Sequence, residues 1–364
     1  MDLSMLLLSD GYFLAIKIVL ILGIILQVVP LMVWIERRGS ALMQNRLGPN
    51  RLGPLGIIQS LADVVKFIFK EDSIPGHVNR FYYLAAPMVA VIPAFMTFAV
   101  VPFAGPIVFD GKELVFQIAD LDVGILYILA IASLGVYGII LAGWASNSKY
   151  ALFGSLRSTA QMISYELALA SSVAGILLVY STVNLGEIAD LSGYTFNLFG
   201  LEIPRWGIFL QPLGFLIFLT SVFAETNRLP FDLPEGESEI VAGYHLEYGS
   251  MKFALFFMAE YFNMTTASAL LATLYFGGWQ LLPGMNLIIE NIGMSGSAQE
   301  WLRVGFQFAS FWIKVAGFMW LFVWVRWTLP RFRYDQLMDV GWKVMLPLAL
   351  FNFVATAAVI AIWR

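Results

Sequence analysis

The stretch Glu225 to Glu239 reads ETNRLPFDLPEGESE, and with Glu247 it sets six carboxylates between two apolar runs: Glu225, Asp232, Glu235, Glu237, Glu239 and Glu247. Only Arg228 and Lys252 oppose them. Carboxylates crowded in a low dielectric cannot all ionise, because burial and mutual repulsion raise their affinity for protons. Such a row can hold and pass protons, and its charge state answers any charge change nearby. The alternative is a solvated acidic loop. The apolar context, LPFDLP among the acids and a Glu-bearing helix after them, favours the row. Glu235 and Glu239 are four apart, which puts both on one face of a helix and turns Glu237 away.

Ionisable residues also fall inside apolar runs: Lys17, Glu166 in ISYELALASS, Glu260 in FFMAEYF, and Lys314. A charge at the bilayer centre costs at least about 2.5–3.5 kcal/mol, so it faces the bundle interior with a partner. Glu166 and Glu260 read as functional. Lys314 pairs with a carboxylate on another helix if its role is structural, and Lys17 snorkels to the membrane surface. Ala160, Ser164, Ala168, Ser171, Ser172, Ala174 and Gly175 surround Glu166 with small residues, which let helices approach closely.

The elements that carry these groups are membrane helices. Of 364 residues 59% are hydrophobic and 13% charged, with mean hydropathy +0.78. A soluble chain is nearer half apolar and a quarter charged. The expected fold is an all-α integral membrane protein, one polytopic domain over 1–364. Its eight expected spans are 12–34, 80–103, 124–145, 159–180, 206–224, 252–276, 303–327 and 341–363. Lys and Arg concentrate in the connections 35–79, 146–158, 225–251 and 328–340, which places these in the cytoplasm and both termini outside. The N-terminal run has no basic leader region and reads as a retained helix. A net charge of -4 gives no electrostatic case for nucleic acid. No cysteine is present to ligate an iron–sulfur cluster, and the two histidines, His77 and His245, read as loop residues that do not suit a haem. No internal repeat supports a transporter.

On the basic side, 57–70 is too short to span. Its apolar residues 57, 58, 61, 64, 65 and 68 share one helical face, with Ser60, Asp63, Lys66 and Lys70 on the other. It reads as an amphipathic helix that lines a cavity, or otherwise anchors to lipid. Before it, QNRLGPNRLGPLG has no P-loop lysine; its Gly-Pro pairs fix turns that display Arg46 and Arg51.

IERRGSALMQNRLGPNRLGP, LADVVKFIFKED, GWASNSKYALFGSLRSTAQMISYE, FAETNRLPFDLPEGESEIVAGYHLEY and RFRYDQL together resemble the H subunits of bacterial NADH:quinone oxidoreductase, respiratory complex I, and their mitochondrial counterpart, NADH dehydrogenase subunit one. The resemblance runs from about Glu36 to the last helix. It implies a proton-translocating enzyme in the bacterial inner membrane, with quinone as substrate. This chain then binds no cofactor and no metal and holds no complete active site, while FMN and iron–sulfur clusters reside in partner subunits. Implied partners are the peripheral-arm B and D subunits, the membrane-arm A, J and K subunits and the lipid bilayer. By motif, Glu36, Arg37 and Arg38 match the cluster after the first helix. Arg37, Arg38, Arg46, Asp63, Lys66 and Arg326 are the implied quinone-channel residues. Glu166, Glu225, Asp232, Glu235, Glu237, Glu239, Glu247 and Glu260 are the implied proton-coupling chain, and Arg331 matches a basic partner of Arg326. Ser133 stands where some members carry a Glu. The open alternative is a related subunit of a ferredoxin- or deazaflavin-dependent dehydrogenase or a membrane-bound hydrogenase.

Overall fold

A run of about 20 apolar residues in lipid must satisfy its backbone internally, and a helix does so within one segment. The computed structural model, which describes residues 10–109, 112–198, 201–232, 243–282, 284–292 and 296–363, is built from such helices. In chain order they are α1 (Asp10–Met43), the short α2 (Gln59–Phe69), α3 (Arg80–Met96), α4 (Gly124–Ala145), α5 (Lys149–Tyr180), α6 (Leu185–Leu191), α7 (Gly207–Leu210), α8 (Pro212–Glu225), α9 (Ser250–Tyr275), α10 (Met285–Asn291), α11 (Ser297–Thr328), α12 (Tyr334–Asp339) and α13 (Leu346–Trp363). Two small antiparallel hairpins, Ile107–Phe109 with Lys112–Leu114 and Thr195–Leu198 with Leu201–Pro204, decorate the end away from the basic loops.

Among the described residues, six helical stretches are long and apolar enough to cross a membrane: Leu14–Met43, Arg80–Val100, Gly124–Ala145, Lys149–Tyr180, Ala298–Thr328 and Tyr334–Ile362. The remaining two expected spans are α9, of 26 residues but carrying Lys252 and Glu260, and the α7–α8 pair, whose longer piece has 14 residues. α9 is the hub: it packs on α1, α2, α3, α8 and α11, and its second half is buried almost throughout. α5 packs on α4, α8 and α13.

Several boundaries differ from expectation. α1 does not stop at residue 34 but runs to Met43, and Glu36 in this extension pairs with Arg228 of the loop after α8 and with Arg326 of α11. α5 begins at Lys149, so most of the expected loop 146–158 is helical; Asn147, at φ 48°, makes the turn just before it. The fifth span is broken at Gln211, where Pro212 has no N–H to continue the ladder. The last span starts as α12, passes through a π-helical turn at Val340–Met345, and continues as α13.

Candidate functional site

α1, α2, α9 and α11 meet around a cavity of about 550 Å³ near the basic end. Its wall is mostly apolar: Val29, Val33, Phe67, Met251, Phe253, Phe257, Met258 and Trp327 among others. Its polar lining is Glu36, Arg37, Ser40, Arg46, Ser60, Asp63, Tyr261 and Arg326. α2 turns one edge inward, with Ser60, Asp63, Val64 and Phe67 on the cavity wall, while Lys66 stays exposed. Ser60 is buried and Asp63 lines the cavity, whereas Leu61, Val65 and Ile68 are exposed. A helix with apolar residues outward is at home against lipid, and this orientation leaves the Asp63 carboxylate facing the cavity. Asp63 is held by Arg37 at 2.5 Å and by Lys66 at 3.2 Å.

Behind the cavity lies a buried ion cluster. Arg228 Nη1 donates to Glu36 Oε1 at 3.0 Å, and Arg228 Nε pairs with Glu260 Oε1. Arg326 also donates to Glu36 Oε1. Tyr261 Oη donates to Glu36 Oε2 at 2.5 Å, and its ring carries the Arg228 guanidinium at 4.7 Å. The side chains of Arg228, Glu36 and Glu260 are 6%, 9% and 9% exposed. Burial alone would draw the Arg228 guanidinium down, but Glu260 and Glu36 hold it well above its ordinary range, so it stays a cation. Arg331 reaches Asp232 at 3.2 Å at the edge of this cluster.

From the cluster a file of small cavities runs inward. One of about 10 Å³ is lined by Asn227, Arg228, Asp232, Glu260 and Arg326. The next, about 30 Å³, shares Asn227 and Glu260 with it and adds Glu225 and Asn263. A third, also about 30 Å³, shares Glu225, Thr226 and Asn263 and extends to Thr97 and Thr266. About 10–15 Å³ holds one water, so these spaces suit single waters or pairs between acids. Glu225 also lies within electrostatic reach of Glu166 on α5.

The structure thus brings together Glu36, Arg37, Arg46, Asp63 and Arg326 around the large cavity, and Glu225, Asp232 and Glu260 along the file. Arg38 lies outside the cavity lining; it donates to Pro49 O and Leu55 O and pins the Gly-Pro loop. Lys66 likewise supports Asp63 from outside the lining. Glu247 turns to His77, at 3.8 Å, and its carbonyl accepts from Tyr83. Glu235, Glu237 and Glu239 lie outside the described residues. Sequence reasoning missed Arg228 and Tyr261 as site residues. The available signal was that Arg228 is the one Lys or Arg within the acidic stretch Glu225–Glu247.

For a structural Lys314 the sequence pointed to a carboxylate partner, and among the described residues it meets backbone carbonyls instead. Its Nζ donates to Gly278 O at 2.9 Å and Gln280 O at 2.7 Å, and lies over the Trp206 ring. The turn after α9 leaves these carbonyls pointing inward, and a lysine supplies them with donors. Lys314→Met is expected to cost about 1–3 kcal/mol, the penalty of buried carbonyls without donors, seen as a lower thermal-inactivation midpoint with turnover retained. An unchanged midpoint would refute the role. Lys17 reaches the backbone oxygen of Gln117 at 3.3 Å.

Residues 16–357 match the family model described as NADH dehydrogenase. Similar proteins include the NADH-quinone oxidoreductase H subunit of Bdellovibrio bacteriovorus, 47% identical over 95% of each chain. NADH-quinone oxidoreductase subunit 8 of Rhodothermus marinus is 47% identical over 97% of this chain and 98% of its own. The NADH-quinone oxidoreductase H subunit of Salinibacter ruber is 46% identical over 93% of each.

Proposed function

The chain belongs to the NADH dehydrogenase family, and from that premise we propose that it is the subunit where quinone reduction is coupled to proton translocation. It is a multi-pass membrane subunit of a multi-subunit NADH-quinone oxidoreductase. Quinone reaches its reduction site through the cavity between α1, α2, α9 and α11. Two electrons from NADH, delivered by iron–sulfur clusters in partner subunits, and two protons convert quinone to quinol. The charge change acts on the Glu36–Arg228–Arg326 cluster, and Glu260, Glu225 and Glu166 carry the response inward. The acids Glu235, Glu237 and Glu239 complete this chain. The basic end faces the cytoplasm and the B and D subunits, both termini face the periplasm, and A, J and K pack along the membrane arm.

The observation that carries this reading is the junction itself. A mostly apolar cavity of about 550 Å³ shares Glu36, Tyr261 and Arg326 with a buried ion cluster. An apolar channel of this kind favours a lipid-soluble acceptor over the hydrogenase alternative, which uses no quinone.

The test is quinone reductase activity of the assembled complex in native membranes. Asp63→Asn releases Arg37 and Lys66 at the cavity wall, and Val33→Trp fills the cavity. Each is expected to raise the apparent KM for a long-tailed quinone about tenfold, a loss of about 1.4 kcal/mol of binding. NADH oxidation by ferricyanide, which needs no quinone, should be unchanged. A normal KM in both variants would remove the cavity from the quinone path.

A further inference from the structure

The last span is interrupted by a π-helical turn, Val340–Met345, in which the Leu346 N–H bonds five residues back to Gly341 O. Such turns are rare, cost stability relative to a continuous α-helix, and are frequent at functional sites. This one faces α5 at Ser164 and Tyr165, the two residues before Glu166. Trp342 Nε1 donates to Ser164 Oγ at 3.0 Å. Gly341 lies so close to the Tyr165 ring that a Cβ there would stand 3.2 Å from Cε2. Tyr165 Oη donates to Leu337 O at 2.9 Å, on α12 just ahead of the turn.

The chain just ahead of α12 grips the start of the acidic loop. Arg331 pairs with Asp232 at 3.2 Å, the Phe332 N–H donates to Pro230 O at 3.2 Å, and the Phe332 and Phe231 rings stack at 5.7 Å. Phe231 also touches the Tyr165 ring, at 5.6 Å. One short segment, 331–345, therefore holds the acidic loop at one end and the residues before Glu166 at the other.

We propose that Trp342 and the π-helical turn are a positioning device for Glu166, setting its place on α5 relative to the acidic loop. This rests on the reading of Glu166 as part of the coupling chain. The bonds of Trp342 to Ser164 and of Tyr165 to Leu337 fix how this turn sits against α5. A rearrangement of Asp232 or Phe231 on quinone reduction then reaches Glu166 through the backbone of this segment, without a file of water.

The experiment uses the complete complex in sealed vesicles and measures protons translocated per NADH beside the NADH:quinone rate. Trp342→Phe keeps an aromatic ring and loses the donor; Ser164→Ala removes the acceptor. Each is expected to lower protons per NADH about twofold at an unchanged quinone rate, and the double variant should be no worse than either alone, the signature of one shared bond. Gly341→Ala, which presses a methyl on Tyr165, should give the same loss. A wild-type ratio in Trp342→Phe, or losses that add in the double variant, overturns the proposal. Glu166→Gln runs in parallel. If it alone loses pumping while Trp342→Phe does not, only the positioning role fails; if Glu166→Gln pumps normally, the coupling chain fails at Glu166 as well.

Discussion

Arg228→Met is expected to destabilise the subunit by about 3–5 kcal/mol and to abolish quinone reduction, because it leaves buried charges without their partner. Arg228 bridges Glu36 and Glu260, and all three side chains are nearly excluded from solvent. Removing the cation leaves two buried carboxylates to share Arg326, which already donates to Glu36. Lysine does not substitute: an ammonium is a point charge without the planar fork that serves both carboxylates and lies against the Tyr261 ring. Thermal inactivation of the purified complex should therefore fall steeply in Arg228→Met and part of the way in Arg228→Lys. The triple variant Arg228→Met, Glu36→Gln, Glu260→Gln should recover much of the stability, since these three positions then hold no unpaired charge, and none of the turnover. A stable, active Arg228→Met complex would show that the cluster is dispensable.

Glu225→Gln is expected to reduce proton translocation at least tenfold in an assembled complex, with ferricyanide reduction by NADH intact as the control for assembly. Glu225 lines both of the 30 Å³ cavities and is the acid they share. Gln keeps the volume and the hydrogen-bonding capacity but cannot take up and release a proton. The file from Glu260 to Glu225 and beyond would then be open to water and closed to protons. Acidification driven by NADH, followed with a pH-sensitive dye in sealed vesicles, reads the effect. Unimpaired acidification would move the proton route away from Glu225 and leave the file as a solvated packing defect.

Much of this was legible without coordinates. Apolar runs near 20 residues announce spans because lipid leaves the backbone no external partner. Glu166 and Glu260 stand out because a charge in an apolar run demands an interior place. The period of residues 57–70 shows a two-faced helix. The relation of long motifs to a known family supplied Glu36, Asp63 and Arg326.

Other features were set by how the helices turn about their axes. Composition made Arg228 one more loop charge; the fold makes it the centre of the cluster, joined to Glu36 across 192 residues of chain. α1 runs on through Glu36 to Met43, past the end of the apolar run. Lys314 looked like half of an ion pair and instead caps two carbonyls, since the turn that presents them lies 34 and 36 residues away along the chain. The π-helical turn left no mark, because an apolar run reads alike whether its ladder skips four residues or five. Residue types and their periods thus establish a membrane helix bundle, the approximate place of its spans, and the residues too polar to face lipid. Which acid meets which base, the cavity they border and the rotation of α2 toward it come from tertiary packing, because periodicity reports that a side chain is buried and not what it is buried against.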